Sequence, residues 1–220
     1  SRALASKRFE VMIQGKGGHS WSDFGMVNPN HALARAVALF ADAHPPERST
    51  GEGRFAINVG VLQGGSTINA IPQWAAAKVD IRSERESLIE DLSASLGRIV
   101  EQALAVEHKA ARKGRLTARL KEIGSRPGGA LADDSPLLKA ALAIDAALGI
   151  RSQIDTSSTD ANIPLAMGIP AVTLGAGGRG GGAHTSEEWY CPEGRDLGLR
   201  RAFHLACAML SGAAIPVPGT

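Results

Sequence analysis

At 220 residues, with 44% hydrophobic and 21% charged residues, the chain has room for one large domain or two small ones, each with a core of useful size. A net charge of +2 is too weak to suggest nucleic acid or anionic membrane as the main partner, and no apolar run approaches the ~20 residues of a membrane span. Cys191 and Cys207 are too few and too unpatterned for a disulfide framework or a zinc knuckle, and SRALASKRFE lacks a signal-peptide core. A reduced, cytoplasmic setting is the expectation.

KRFEVMIQ (7–14) alternates Phe9, Val11 and Ile13 with polar residues, the pattern of a half-buried strand. A helix is predicted over 28–44, with Asn28 as N-cap, Pro29 at the first position and Leu33, Val37 and Phe40 on one face. Pro45 and Pro46 end it. RFAINVGVLQG (54–64) and QWAAAKVDIRS (73–83) read as strands, joined by STINAIP. A long amphipathic helix follows from Ser87 to about Lys109, its stripe made by Leu88, Leu92, Leu96, Ile99 and Leu104. RLTARLKEI (115–123) is the last strand of this half. Strand–helix–strand–strand–helix–strand is the order of a ferredoxin-like βαββαβ fold with a mostly antiparallel sheet.

SRPGG (125–129) is a break of the kind that separates domains, giving 1–124 and 125–220. Beyond it come a helix over 135–149, a short strand RSQID (151–155), a buried-strand run PAVTL (170–174) and a helix at about 195–211. Helices alternating with apolar strands predict a parallel α/β sheet. Two clear strands make a thin α/β domain, so this half is expected to be the C-terminal portion of a larger one. Ser1 in place of Met fits a piece of a longer chain.

GAGGRG (175–180) directly follows a strand and matches G-x-G-x-x-G. A dinucleotide loop needs those glycines to open a helix whose N-terminus holds the pyrophosphate. Here Gly181, Gly182 and AHTSEEWYCP follow, with nothing fit to start a helix until about Gly194. A loop at the carboxyl edge of a parallel sheet is the better alternative, its backbone N–H groups free to approach an anionic group. His184 at its end is then a ligand, a catalyst or an incidental surface residue.

GKGGHSW (15–21), GGSTINAIP (64–72), VDIRS (79–83), SSTDAN (157–162), GIPAVTLGAGG (168–178) and GGAHTSEEWY (181–190) occur in that order. Together they resemble the dinuclear-zinc exopeptidases and deacylases, a family that includes peptidase T, carboxypeptidase G, acetylornithine deacetylase and succinyl-diaminopimelate desuccinylase. The resemblance implies a ferredoxin-like lid, which dimerises, inserted into a two-metal α/β catalytic domain. It implies that His184 is a metal ligand and that His19 reaches the partner subunit's active site to stabilise the tetrahedral intermediate. Asn69 is similar to a lid asparagine that contacts substrate across the dimer, and Arg82 to an arginine that holds a substrate carboxylate. Ser158, Thr159 and Gly177 would line the pocket. Each has a plainer alternative: His19 can cap a turn, Asn69 can hold the turn before Pro72, and Arg82 can pair with Asp80.

Glu187 and Glu188 do not match the family's catalytic glutamate pair, which lies upstream of the lid. His31, His44, His108 and His204 lie on or beside helices and read as ordinary surface or core residues. No His-x-Asp occurs anywhere in the chain, although the family's other metal ligands lie on such a motif and before the lid. A catalytic zinc takes about three protein ligands. The implied enzyme cleaves a peptide or N-acyl amino acid with two divalent metals, zinc first and manganese or cobalt as alternatives. It works as a homodimer, and this portion is expected to be inactive alone. A non-catalytic dimerisation or binding module is the rival expectation.

Overall fold

The computed structural model describes residues 1–50 and 53–212. β1 (Ala5–Gln14) buries Phe9, Val11 and Ile13 on one face, as period-2 alternation requires. α1 (Pro29–Ala43) starts where the Asn28 side chain accepts the Asn30 N–H at 2.9 Å and Pro29 occupies the first turn. β2 (Phe55–Gly64) and β3 (Trp74–Ser83) follow, then α2 (Glu86–Ala110) and β4 (Thr117–Arg126).

The sheet order is β2-β3-β1-β4 with every neighbour antiparallel, which is the ferredoxin-like arrangement. β1 and β3 pair without a break from Ala5↔Ser83 to Gln14↔Trp74. α1 and α2 pack on each other and on the sheet, closing a core that includes Phe40, Leu33, Ile13, Ile81 and Leu96. These elements form one compact unit, Leu4–Gly128.

A second unit joins Ser1–Ala3 to the chain from Gly129 onward. Arg2–Ala3 pairs antiparallel with Gly129–Ala130 and parallel with Thr156–Ser157. α3 (Pro136–Ala147), α4 (Asn162–Ala166) and α5 (Arg195–Ser211) supply its helices. Ala140, Ala141 and Ile144 of α3 pack with Leu205 of α5. Beside them the buried Asp145 carboxylate accepts hydrogen bonds from Arg201 and Ser152.

Two expectations change here. Residues 151–155 and 170–174 form no strand, and in this unit the parallel pairing among the described residues is that of Arg2–Ala3 with Thr156–Ser157. An apolar run becomes a strand only beside a partner that takes up its N–H and C=O groups. Residues 213–220, assigned to the second half from sequence, lie outside the described residues.

Phe40 is 1% exposed, so Phe40→Ala should cost about 3–5 kcal/mol in urea denaturation. Trp21 is 86% exposed, and Trp21→Ala in the same experiment should stay within about 0.5 kcal/mol of the parent.

Candidate functional site

The candidate residues fall into two groups, one in each unit. In the first unit the chain leaves β1 pressed against the segment before β3, with the Gly15 N–H donating to the Gln73 carbonyl at 2.8 Å. Gly17 has φ 71°, and a Cβ there would lie 2.7 Å from Gln73 Cγ and 3.0 Å from the Ile71 carbonyl, so glycine is required. Gly18–His19 then pairs with Ala70–Ile71, and the Ser20 N–H donates to the Asn69 carbonyl at 3.0 Å. His19 and Asn69 are thereby brought together, both exposed.

His19 caps its own turn. Its Nδ1 accepts the N–H groups of Trp21 at 3.2 Å and Ser22 at 3.4 Å. The Asp23 N–H donates to the His19 carbonyl, and Asp23 Oδ2 accepts the His19 N–H, each at 2.9 Å. The reciprocity is that of a capping box with imidazole in the place of a hydroxyl. Because Nδ1 is the acceptor, the neutral ring carries its hydrogen on Nε2, where it is a donor. Lys113 Nζ donates to Asp23 Oδ1 at 2.8 Å. That bond, and after it the His19 N–H, hold the Asp23 carboxyl below the usual carboxylate range. Sequence reasoning missed Asp23, though an acid four residues after the histidine was a usable sign; nothing in the sequence pointed to Lys113.

Arg82 stands apart from this pair. It sits near the opposite end of β3 from Trp74, roughly 25 Å along the strand. Its Nε donates to Asp80 Oδ2 at 2.6 Å, while Asp80 Oδ1 accepts Arg8 Nε at 3.0 Å.

In the second unit a cleft of about 340 Å³ is lined by Asp155, Ser157, Thr159, Thr173, Gly175 and Arg201, among others. Thr159 and Thr173 share a hydroxyl–hydroxyl bond at 2.7 Å, and the fully buried Asn162 accepts the Thr159 N–H at 2.7 Å. Ser158, Gly177 and His184 are not among the lining residues. Gly177 instead meets the start of α5, where a Cβ would come within 2.8 Å of the Gly194 carbonyl.

The glycine-rich run forms a hairpin. β5 (Arg179–Gly181) pairs antiparallel with β6 (Trp189–Cys191). A Cβ on Gly178 would lie 2.6 Å from both the Cys191 carbonyl and the Tyr190 hydroxyl, and on Gly181 2.8 Å from the Trp189 indole nitrogen. A strand follows the glycines, so the nucleotide-loop alternative lacks its helix.

His184 lies in the loop of this hairpin with φ 65°, the one positive value for a non-glycine among the described residues. Such strain persists only where surroundings impose it and is found most often at functional sites. The Glu188 carboxylate accepts its N–H at 3.3 Å, and the exposed imidazole makes no hydrogen bond among the described residues. Glu188 therefore supports the histidine's backbone. Among the described residues no three of His, Cys, Asp and Glu stand together as a metal group. One imidazole is one ligand, so these residues alone do not fit a catalytic metal.

Three of the other histidines have structural partners, and the exposed His204 meets only the ring of its neighbour Phe203 among the described residues. His44 bonds Ser95 at 2.9 Å and meets Phe40 edge-on, and burial lowers its pKa. His108 Nε2 accepts the Leu116 N–H at 2.9 Å, and His31 lies 3.8 Å from the buried Glu107.

Residues 5–108 match the peptidase dimerisation domain family. No curated protein sequence matches the chain. Among solved structures, aminopeptidase PepT of Bacillus cereus is similar with a TM-score of 0.71 and 22% identity, over 94% of this chain and 52% of that one. A tripeptidase of Staphylococcus aureus matches at 0.71 and 20%, over 93% and 51%. An amidase of the hydantoinase/carbamoylase family from Burkholderia vietnamiensis matches at 0.70 and 19%, over 99% and 50%. At these identities the likeness is one of fold, and the chain spans about half the length of the solved relatives it matches.

Gly178→Ala should open the hairpin, costing on the order of 1–3 kcal/mol locally. Limited trypsin digestion should then cut at Arg179 faster than in the parent.

Proposed function

We propose, from the match of residues 5–108 to the peptidase dimerisation domain family, that the chain is part of a metal-dependent hydrolase cleaving a peptide or N-acyl amino acid. The observation that carries the reading is His19: its Nδ1 is occupied by the turn, which leaves Nε2–H exposed as a directed donor. A donor fixed in that way suits an oxyanion that develops only in the transition state, because no reorganisation is needed when charge appears. Asn69, tied to the same turn, presents an amide able to hydrogen-bond the substrate beside it.

His184 is proposed as one ligand of a divalent metal, zinc first and manganese or cobalt as alternatives, whose other ligands lie outside these 220 residues. Bound there, such an ion would supply Lewis acidity and an activated water. Thr159 and Gly177 are proposed for the substrate wall with Ser158 beside them. Arg82 could take a substrate carboxylate only by giving up part of its bond to Asp80.

The lid is proposed to form a homodimer. Among the described residues β2 pairs only with β3, so its outer edge keeps unpaired backbone groups for a second chain. Dimerisation without catalysis is the second reading for these 220 residues, favoured by the missing ligand group. No helix among the described residues is long and apolar enough to cross a membrane.

In the whole protein, His19→Ala should leave metal content unchanged and lower kcat by about 10²–10³. His184→Ala should remove bound metal and amide hydrolysis together. Full activity and metal content in His184→Ala would sink the ligand assignment.

A further inference from the structure

We infer that Asp23 and Lys113 are positioning residues that hold the His19 imidazole in its Nε2–H form. The catalytic consequence rests on the function proposed for His19; the geometry does not.

Asp23 uses both carboxylate oxygens, Oδ2 on the His19 N–H at 2.9 Å and Oδ1 on Lys113 Nζ at 2.8 Å. The first bond closes the turn, and only in the closed turn do the Trp21 and Ser22 N–H groups meet Nδ1. The second ties the turn to the connection between α2 and β4, ninety positions away in sequence. That connection is itself anchored: the Val27 N–H donates to the Lys113 carbonyl at 3.1 Å and the Arg112 N–H to the Gly25 carbonyl at 2.7 Å. The loop of His19 is therefore held on one side by Ala70–Ile71 and on the other by residues 112–113.

Space around the carboxylate fits the same role. A Cβ on Gly18 would lie 2.7 Å from Asp23 Oδ2 and 3.0 Å from Asp23 Cβ, so the absence of a side chain at position 18 is what admits the acid. Gly25 turns the chain back with φ 93°. The Asp23–Lys113 pair is solvent-accessible, with side-chain exposures of 29% and 52%, and accessible pairs contribute little to global stability. Its loss should therefore act on the ring and leave folding nearly unchanged. Without Asp23 the His19 N–H loses its acceptor, the turn opens, and the ring exchanges between tautomers.

Long-range proton–nitrogen NMR spectra of the histidine rings in the 220-residue chain test this directly. The parent should show His19 as a single Nε2–H tautomer. Asp23→Ala should move His19 to the averaged pattern of a freely exchanging imidazole, with His44 and His108 unmoved. Asp23→Asn keeps one oxygen for the His19 N–H but turns an amide NH2 toward the Lys113 ammonium, so Asp23→Asn and Lys113→Gln should each shift His19 part of the way. A fixed Nε2–H tautomer in folded Asp23→Ala would overturn the inference. Should that variant not fold, Lys113→Gln decides alone: a shifted ring supports the assignment and an unchanged ring overturns it.

In the whole protein, Asp23→Ala should lower kcat by about tenfold or more at unchanged KM, and should cause no further loss when added to His19→Ala. A further loss in that background would assign Asp23 a role independent of the histidine and contradict the inference. A fully active His19→Ala would instead remove the proposed function, while the ring spectra still judge the positioning.

Discussion

The antiparallel pairing of β1 with β3 is the constraint from which the rest of the first unit follows. Its unbroken register ends at Gln14↔Trp74, and the Gly15 N–H carries the contact one step further to Gln73. The two segments then meet again at Gly18↔Ile71 and His19↔Ala70. A slip of one residue would turn Phe9, Val11 and Ile13 from the core to the other face and separate His19 from Asn69. Burial of the apolar face thus fixes the placement of exposed polar residues beyond the strand ends.

His19 unites two roles that sequence alone sets against each other. It caps a turn, the plainer alternative, and by doing so it fixes which ring nitrogen is the donor. Capping uses Nδ1, chemistry would use Nε2, and the two do not compete. His184 presents the opposite case: its ring has no partner among the described residues while its backbone is strained and steadied by Glu188. The glycines before it are required by close backbone contact in a hairpin, most clearly at Gly178.

What was legible in the sequence was what depends on neighbours in sequence. Asn28 and Pro29 start α1 through local cap chemistry, and the alternation of β1, β2 and β3 marks their buried faces. The ferredoxin-like order followed from counting such elements. PAVTL (170–174) fails as a strand because an apolar run states a preference for burial and says nothing of its partner, and RSQID (151–155) has Ile154 as its one large apolar residue. The β5–β6 hairpin escaped notice because its glycines and adjacent Trp189 and Tyr190 show no alternation. Asp23 and Lys113 lie ninety positions apart, with α1, β2, β3 and α2 between them. At the site, His19 and Asn69 were legible as motifs, whereas the tautomer needed the three-dimensional turn.

We propose that this chain brings a dimerising lid and a single metal ligand to a hydrolase completed by residues outside it. Equilibrium dialysis of the 220-residue chain against zinc tests that most directly. The expected result is only weak, non-stoichiometric binding, as one imidazole allows. Tight stoichiometric zinc, lost on His184→Ala, would show a complete site within the chain and contradict it.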